Sequence, residues 1–192
     1  MNRARGPTIG VALPADWWTI DLSEPGATRR SITALVARQV DRSDERAGLR
    51  RELREELGRA AAAATRAGGH FLAVSLMRTD DVAIPATMAV YRLPHPAGGL
   101  AAVEAQPGSA GQWVATDGAF GRVIRRVRDG DGSPALGAAC STVAEYWFDP
   151  QDGGGLVLVS FSTPAFQLKD ALVGLFDAIV ATIRPYPGPS RT

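Results

Sequence analysis

The spacing of apolar positions changes period along the chain, and the changes mark its elements. Trp18, Ile20 and Leu22 alternate with Thr19 and Asp21, the two-residue period of a half-buried strand. Glu24-Pro25-Gly26 stops that strand. Thr28 then offers a hydroxyl to cap a helix, and Ile32, Leu35, Val36, Gln39 and Val40 follow at helical spacing. Ser43 restarts a second helix, with Asp44 and Glu45 at its positive end. Leu49, Leu53 and Leu57 form its stripe, continued by Ala60, Ala61 and Ala64. Gly68-Gly69 supplies a left-handed stop. The alanines are strong helix formers with small side chains, which lets this helix approach another layer closely.

The period then returns to two. Phe71–Met77 and Met88–Leu93 read as strands around a turn at Thr79-Asp80-Asp81. Pro85 makes the first part of the second an edge or an entry. Residues 94–119 form an irregular loop broken by Pro94, Pro96, Gly98, Gly99, Pro107, Gly108 and Gly111. One short helix fits near Leu100–Ala105, and Val103 and Trp113 are the anchors of the 94–119 segment onto the body. A loop of that length is functional or mobile. Gly121–Arg128, Ala139–Phe148 and Leu156–Ser162 are three further strands. Their connections, Asp129 through Gly132 and Asp149 through Gly155, have hairpin chemistry and predict an antiparallel meander. Thr163-Pro164 starts a last helix, with Leu168, Leu172, Leu175, Phe176, Ile179 and Ile183 on one stripe and Pro185 and Pro187 past its end.

Strands joined by tight turns, with helices segregated from them, define the α+β class. The expected architecture is an antiparallel sheet of about six strands, with two N-terminal helices and one C-terminal helix packed on it. No βαβ alternation supports a parallel sheet. The whole of 1–192 reads as a single domain, with 1–10 and 185–192 as tails.

Composition narrows the function classes. The 192 residues are 45% hydrophobic and 21% charged, with a net charge of +1, a balance that disfavours a nucleic-acid binder. One cysteine excludes an intramolecular disulfide and a Cys-rich zinc site. No apolar run of ~18 residues is present, so no membrane span is expected. MNRARGPTIGVALPADWW lacks the apolar core of a secretory signal. The expected location is the cytoplasm.

Catalytic arrangements are weakly supported. Ser109 lacks the glycine spacing of a nucleophile elbow, and Ser160 and Ser162 read as polar strand positions. Cys140 reads as a small buried hydrophobe, with neither His70 nor His95 placed beside it by the sequence. Two histidines and Asp129-x-Asp131 do not make a metal site. Gly153-Gly154-Gly155 precedes a strand and reads as a turn, not a phosphate cradle. Glu145 alternates with aromatic neighbours, as an exposed or arginine-paired residue does. No cofactor and no metal is expected.

Two surface features remain. Arg122, Arg126 and Arg128 share one side of a strand while Arg125 takes the other, so the three make a positive patch unless helix carboxylates pair with them. Trp17-Trp18 and Tyr146-Trp147-Phe148 must place rings on both sheet faces, and Trp113 and Trp147 are candidate interface anchors. Arg122, Arg126, Arg128, Trp113 and Trp147 are therefore the expected protein-binding residues.

LPADWWTIDL (Leu13–Leu22), AAAATRAGGHFLAVSL (Ala61–Leu76) and GGGLVLVSFSTPAFQLKDALVGLFDAIVATIRP (Gly153–Pro185) resemble a group of actinobacterial proteins. Their order is similar to the PsbP-like α/β/α sandwich, the fold of a photosystem II extrinsic subunit and of a Ran-binding nuclear import factor. The resemblance implies a non-catalytic scaffold that binds other proteins, and it assigns no functional residue. The expected function is a protein-binding module or adaptor, with another protein as partner and neither nucleic acid nor membrane. Two alternatives stay open. One is an enzyme or small-molecule binder with a pocket between the sheet and the 94–119 loop. The other is a subunit that assembles with copies of itself.

Overall fold

The computed structural model describes residues 8–40, 43–80, 82–106, 113–131 and 140–186. In chain order the elements are β1 (Thr8–Gly10), β2 (Trp17–Asp21), α1 (Pro25–Gln39), α2 (Ala47–Arg66), β3 (Gly69–Ser75), β4 (Arg78–Thr79), β5 (Val82–Ala83) and β6 (Thr87–Leu93). They continue with α3 (Gly99–Glu104), β7 (Trp113–Gly118), β8 (Gly121–Asp131), β9 (Cys140–Phe148), β10 (Leu156–Thr163), α4 (Lys169–Ala181) and β11 (Arg184–Tyr186). Seven strands form one antiparallel sheet in the order β2-β3-β6-β10-β9-β8-β7. The class is α+β, and β8, β9 and β10 are the meander that their turns predict.

The seventh strand, β7, lies inside the segment expected to be a loop. It runs along the sheet edge, and only Trp113 among its residues is shielded, so it carries no burial period to read. The short helix α3 falls where one was expected. Residues 107–112, with Ser109, lie outside the described residues. Two further expectations are corrected at the ends. Thr8–Gly10 pairs with Arg184–Tyr186 as a small antiparallel ribbon, so these parts of the supposed tails are held.

Helix starts differ in detail. Thr28 lies within α1, where its hydroxyl donates back to Asp21 O at 2.7 Å instead of capping. Thr163 stays in β10, its hydroxyl bonded to Pro85 O at 2.8 Å; a tight turn at Phe166–Leu168 then precedes α4. Leu168 and Leu49 are exposed and fall off their expected stripes. Asp129-Gly130-Asp131 belongs to β8, opposite Thr142, Ser141 and Cys140, and so is strand and not the turn it was expected to be; residues 132–139, which follow it, lie outside the described residues. The turn after β9 is as expected: Gly153 and Gly155 take φ of 72° and 100°, which glycine adopts without a Cβ clash.

Helices lie on both faces of the sheet. On the first face α4 presses Leu172, Phe176 and Ile179 onto Met88, Val90, Ala144, Tyr146, Val159 and Phe161. Phe161 and Phe176 stack with centroids 4.3 Å apart, and Trp17 and Tyr146 meet Phe161 edge-on. On the second face α1 and α2 cover β2 and β3, burying Ile20, Leu22, Ile32, Leu35, Val36, Ala61 and Ala64. At the opposite end of that face α3 sets Val103 on Ile124 and Leu156, against Trp113 and Trp147. The expected splitting of the aromatic pairs holds: Trp17 belongs to the first core and Trp18 packs on the second.

Candidate functional site

The second face is not covered evenly. Between α2 and the sheet lies a cavity of about 420 Å³. Leu57, Ala60, Ala63, Ala64 and Ala67 form its helical wall. Its floor includes Leu72, Val74, Thr87, Ala89, Tyr91, Ser160 and Ser162. The alanine run explains the space. Helix α2 rests on the sheet through Leu53, Leu57, Ala61 and Ala64, and the methyls of Ala60, Ala63 and Ala67 end short of β6 and β10. Small side chains were expected to bring the layers together; along this flank they leave a gap instead. Tyr91, Thr87, Ser160 and Ser162 place hydroxyls on the floor. Burial raises the Tyr91 phenol above its ordinary pKa, so it stays protonated.

Sheet register extends the floor in a definite chemical order. One row of cross-strand neighbours reads Ile20, Leu72, Ala89, Ser160, Glu145, Arg126, Trp113. The adjacent row reads Trp18, Val74, Thr87, Ser162, Val143, Arg128. Both pass from apolar to hydroxyl; the first then crosses Glu145 to reach Arg126, and the second crosses Val143 to reach Arg128.

Glu145 is the hub of the charged end. Its Oε2 accepts from Arg126 Nε at 3.0 Å and Nη2 at 2.6 Å, and its Oε1 accepts from Arg128 Nη2 at 3.0 Å. Arg126 also lies over the Trp113 ring, 4.8 Å from its centroid, a cation–π contact. The glutamate is buried, and two arginines neutralise it. Arg122 pairs with Glu104 of α3 at 2.8 Å. Arg125 points to the other face and binds Asp177 of α4, which also accepts from Tyr146 Oη at 2.8 Å. Burial, then Asp177, pushes the Tyr146 phenol far above its ordinary pKa.

All five expected binding residues therefore share the second face, on the adjacent strands β7, β8 and β9. Their cations are paired: Arg122 with a helix carboxylate, Arg126 and Arg128 with a strand carboxylate. Trp147 is half-buried under α3, and the indole N–H groups of Trp113 and Trp147 meet no acceptor among the described residues. The alanine wall and the row order were not read from the sequence. Glu145, expected to be exposed or arginine-paired, carried the one available hint, and the pairing of β9 with β8 sets it opposite Arg126.

The remaining titratable groups are tied elsewhere. His95 Nε2 meets Asp149 at 2.9 Å and Nδ1 meets Pro96 O at 3.1 Å. The Asp149 hydrogen bond, with help from Pro96 O, raises the imidazole pKa. Asp152 binds Arg92 and the Gly154 N–H; burial raises its pKa, but these bonds outweigh it and the net shift is downward. Burial and then Arg92 lower the pKa of His70. Cys140 is exposed at the start of β9, correcting the expectation that it is buried. Asp149, which holds His95, follows the other end of that strand, so roughly 30 Å of extended chain separates thiol from imidazole. Among the described residues no three His, Cys, Asp or Glu side chains converge as metal ligands do, and no helix is long and apolar enough to cross a membrane. Comparison of the chain with family models, curated proteins and solved structures gave no significant match.

Proposed function

We propose that this protein is a non-catalytic binding module of the cytoplasm that receives its partner in the groove between α2 and the sheet. The observation that carries this reading is the cavity itself. Its volume is within the range of binding clefts, and its lining is apolar with a few polar groups, which is how such sites are built. The charged groups nearby are engaged in ion pairs and supply no nucleophile–base pair. A lone exposed thiol suits a reducing compartment. Helices on both faces of an antiparallel sheet are also the layering of the PsbP-like sandwich, whose members act by contact.

The neutral fluorophore N-phenyl-1-naphthylamine tests the groove. Saturable one-to-one binding that Ala63→Leu abolishes supports the reading, because leucine at that position fills the opening. Failure to bind, or binding indifferent to Ala63→Leu, refutes it. A second reading, contact with an acidic protein surface, is favoured by Trp113, Trp147, Arg122, Arg126 and Arg128 lying on one face. Replacing Arg126 and Arg128 together by glutamate should then remove a partner that the wild type retains.

A further inference from the structure

From the order of side chains along the two rows we infer the ligand class: a single-chain amphiphile with an anionic head, taken as a free long-chain carboxylate. This inference rests on the groove reading above and deepens it. The tail would lie under the alanine wall on Leu72 and Ala89, where nothing charged lines the space. Ser160 and Ser162 come next, and among the described residues neither hydroxyl has a protein partner. Arg126 and Arg128 stand two strands further on, roughly 10 Å away at the ordinary spacing between strands. The lining of the cavity ends at Ser160 and Ser162; between them and the cations lie Val143, which is apolar, and Glu145, whose charge both guanidiniums already hold, so an amphiphile would run from the apolar floor over β9 to Arg128.

The charge at the far end decides the head group. Two guanidiniums share one carboxylate, so the cluster keeps one positive charge. Each guanidinium carries five N–H donors; Glu145 takes two from Arg126 and one from Arg128. Arg128 is the more open of the two, with its side chain 35% exposed against 15%. A carboxylate head arriving along the groove meets donors that match it in a planar, two-pronged fashion. A cationic head would meet two like charges, and a neutral one would leave the excess charge unanswered.

Calorimetric titration with decanoate and with decanol, which share a tail and differ in the head, tests the inference. Decanoate should bind one-to-one and at least tenfold more tightly than decanol. Arg128→Gln should bring decanoate down to the level of decanol and leave decanol unchanged. Unaltered circular dichroism and unaltered naphthylamine binding would establish that this variant is folded with its groove intact. Equal affinity for acid and alcohol, or a preference that survives Arg128→Gln, overturns the head-group assignment while naphthylamine binding still upholds the groove. If the naphthylamine fails to bind as well, the groove reading itself falls.

Discussion

Under α4 the sheet is filled by rings, and under α2 it is filled by methyls. Phe161, Phe176, Tyr146 and Trp17 interlock on the first face, and all four are buried. Opposite, Ala60, Ala63 and Ala67 face Ala89, Ser160 and Ser162, and a cavity remains. β10 serves both faces: Val157, Val159 and Phe161 point into the first and Leu158, Ser160 and Ser162 into the second. Alternation along one strand thus lets a single element supply packing to one side and a hydroxyl floor to the other. The first face holds the fold together, and the second can afford a gap because the first is full.

The largest effect should follow from opening the full face. Phe176→Ala should lower unfolding stability by about 3–5 kcal/mol, since a buried ring is lost and its neighbours relax only in part. Urea denaturation measures this; a loss below ~1 kcal/mol would mean that the rings do not carry the first core.

The next test applies one substitution to both faces. Ala144 is fully buried beneath α4, and Ala144→Leu should cost about 1–3 kcal/mol by overpacking. Ala63→Leu adds the same atoms on the groove side and should be neutral or stabilise by ~0.5–1 kcal/mol, as cavity filling does. Equal costs at both sites would show that the second face is as tightly packed as the first.

These contrasts mark what the sequence could and could not disclose. Strand and helix positions were legible wherever burial imposes a period, as in Ile32-Leu35-Val36 or in β8 to β10. β7 was not, because an edge strand in contact with water has no alternation to read. The end of β10 was misplaced because Thr163 satisfies a turn and not a cap. Arg122, Arg126 and Arg128 were correctly set on one side by the parity of a strand. Glu145 read as exposed or arginine-paired, but which arginines it meets was invisible, since that depends on the pairing of β8 with β9. The groove lay deeper still: an alanine run signals close approach, and only the placement of α2 over β3 shows that its far flank stands clear of β6 and β10.

The charged end of the second face offers a smaller effect. Glu145→Gln should cost about 1–2 kcal/mol, because Arg126 and Arg128 lose their shared counter-charge while partly open to water. The loss should shrink when Arg128→Gln is added, a coupling that a double-mutant cycle reads directly. Additive losses would mean that the glutamate does not join the two arginines.

The smallest effect belongs to the tie that holds the approach to α3 against the β9–β10 turn. With both ring nitrogens beside acceptor oxygens, His95 is favoured as the cation, and its pKa lies above the ordinary 6.5. Its folded pKa therefore exceeds its unfolded one. The stability it adds is fully present below about pH 6.5 and is lost as pH rises through the folded value. Asp149 behaves in the opposite sense. Burial raises its pKa, but the Gln151 N–H and His95 outweigh it and bring it below 3.8. Its contribution is present above pH 3.8 and is lost as pH falls through the folded value. The pair is thus tightest between these limits. Its exposure to water keeps the gain small, so the sensitive reading is the proton resonance of the imidazole ring. His95 should titrate above 6.5 and return toward it in Asp149→Asn. His70 supplies an internal control, because burial and Arg92 move it below 6.5. A His95 midpoint at or below 6.5 in the native protein would mean that the Asp149 tie adds nothing to the apolar contacts and the Arg122–Glu104 pair that hold α3 on the sheet.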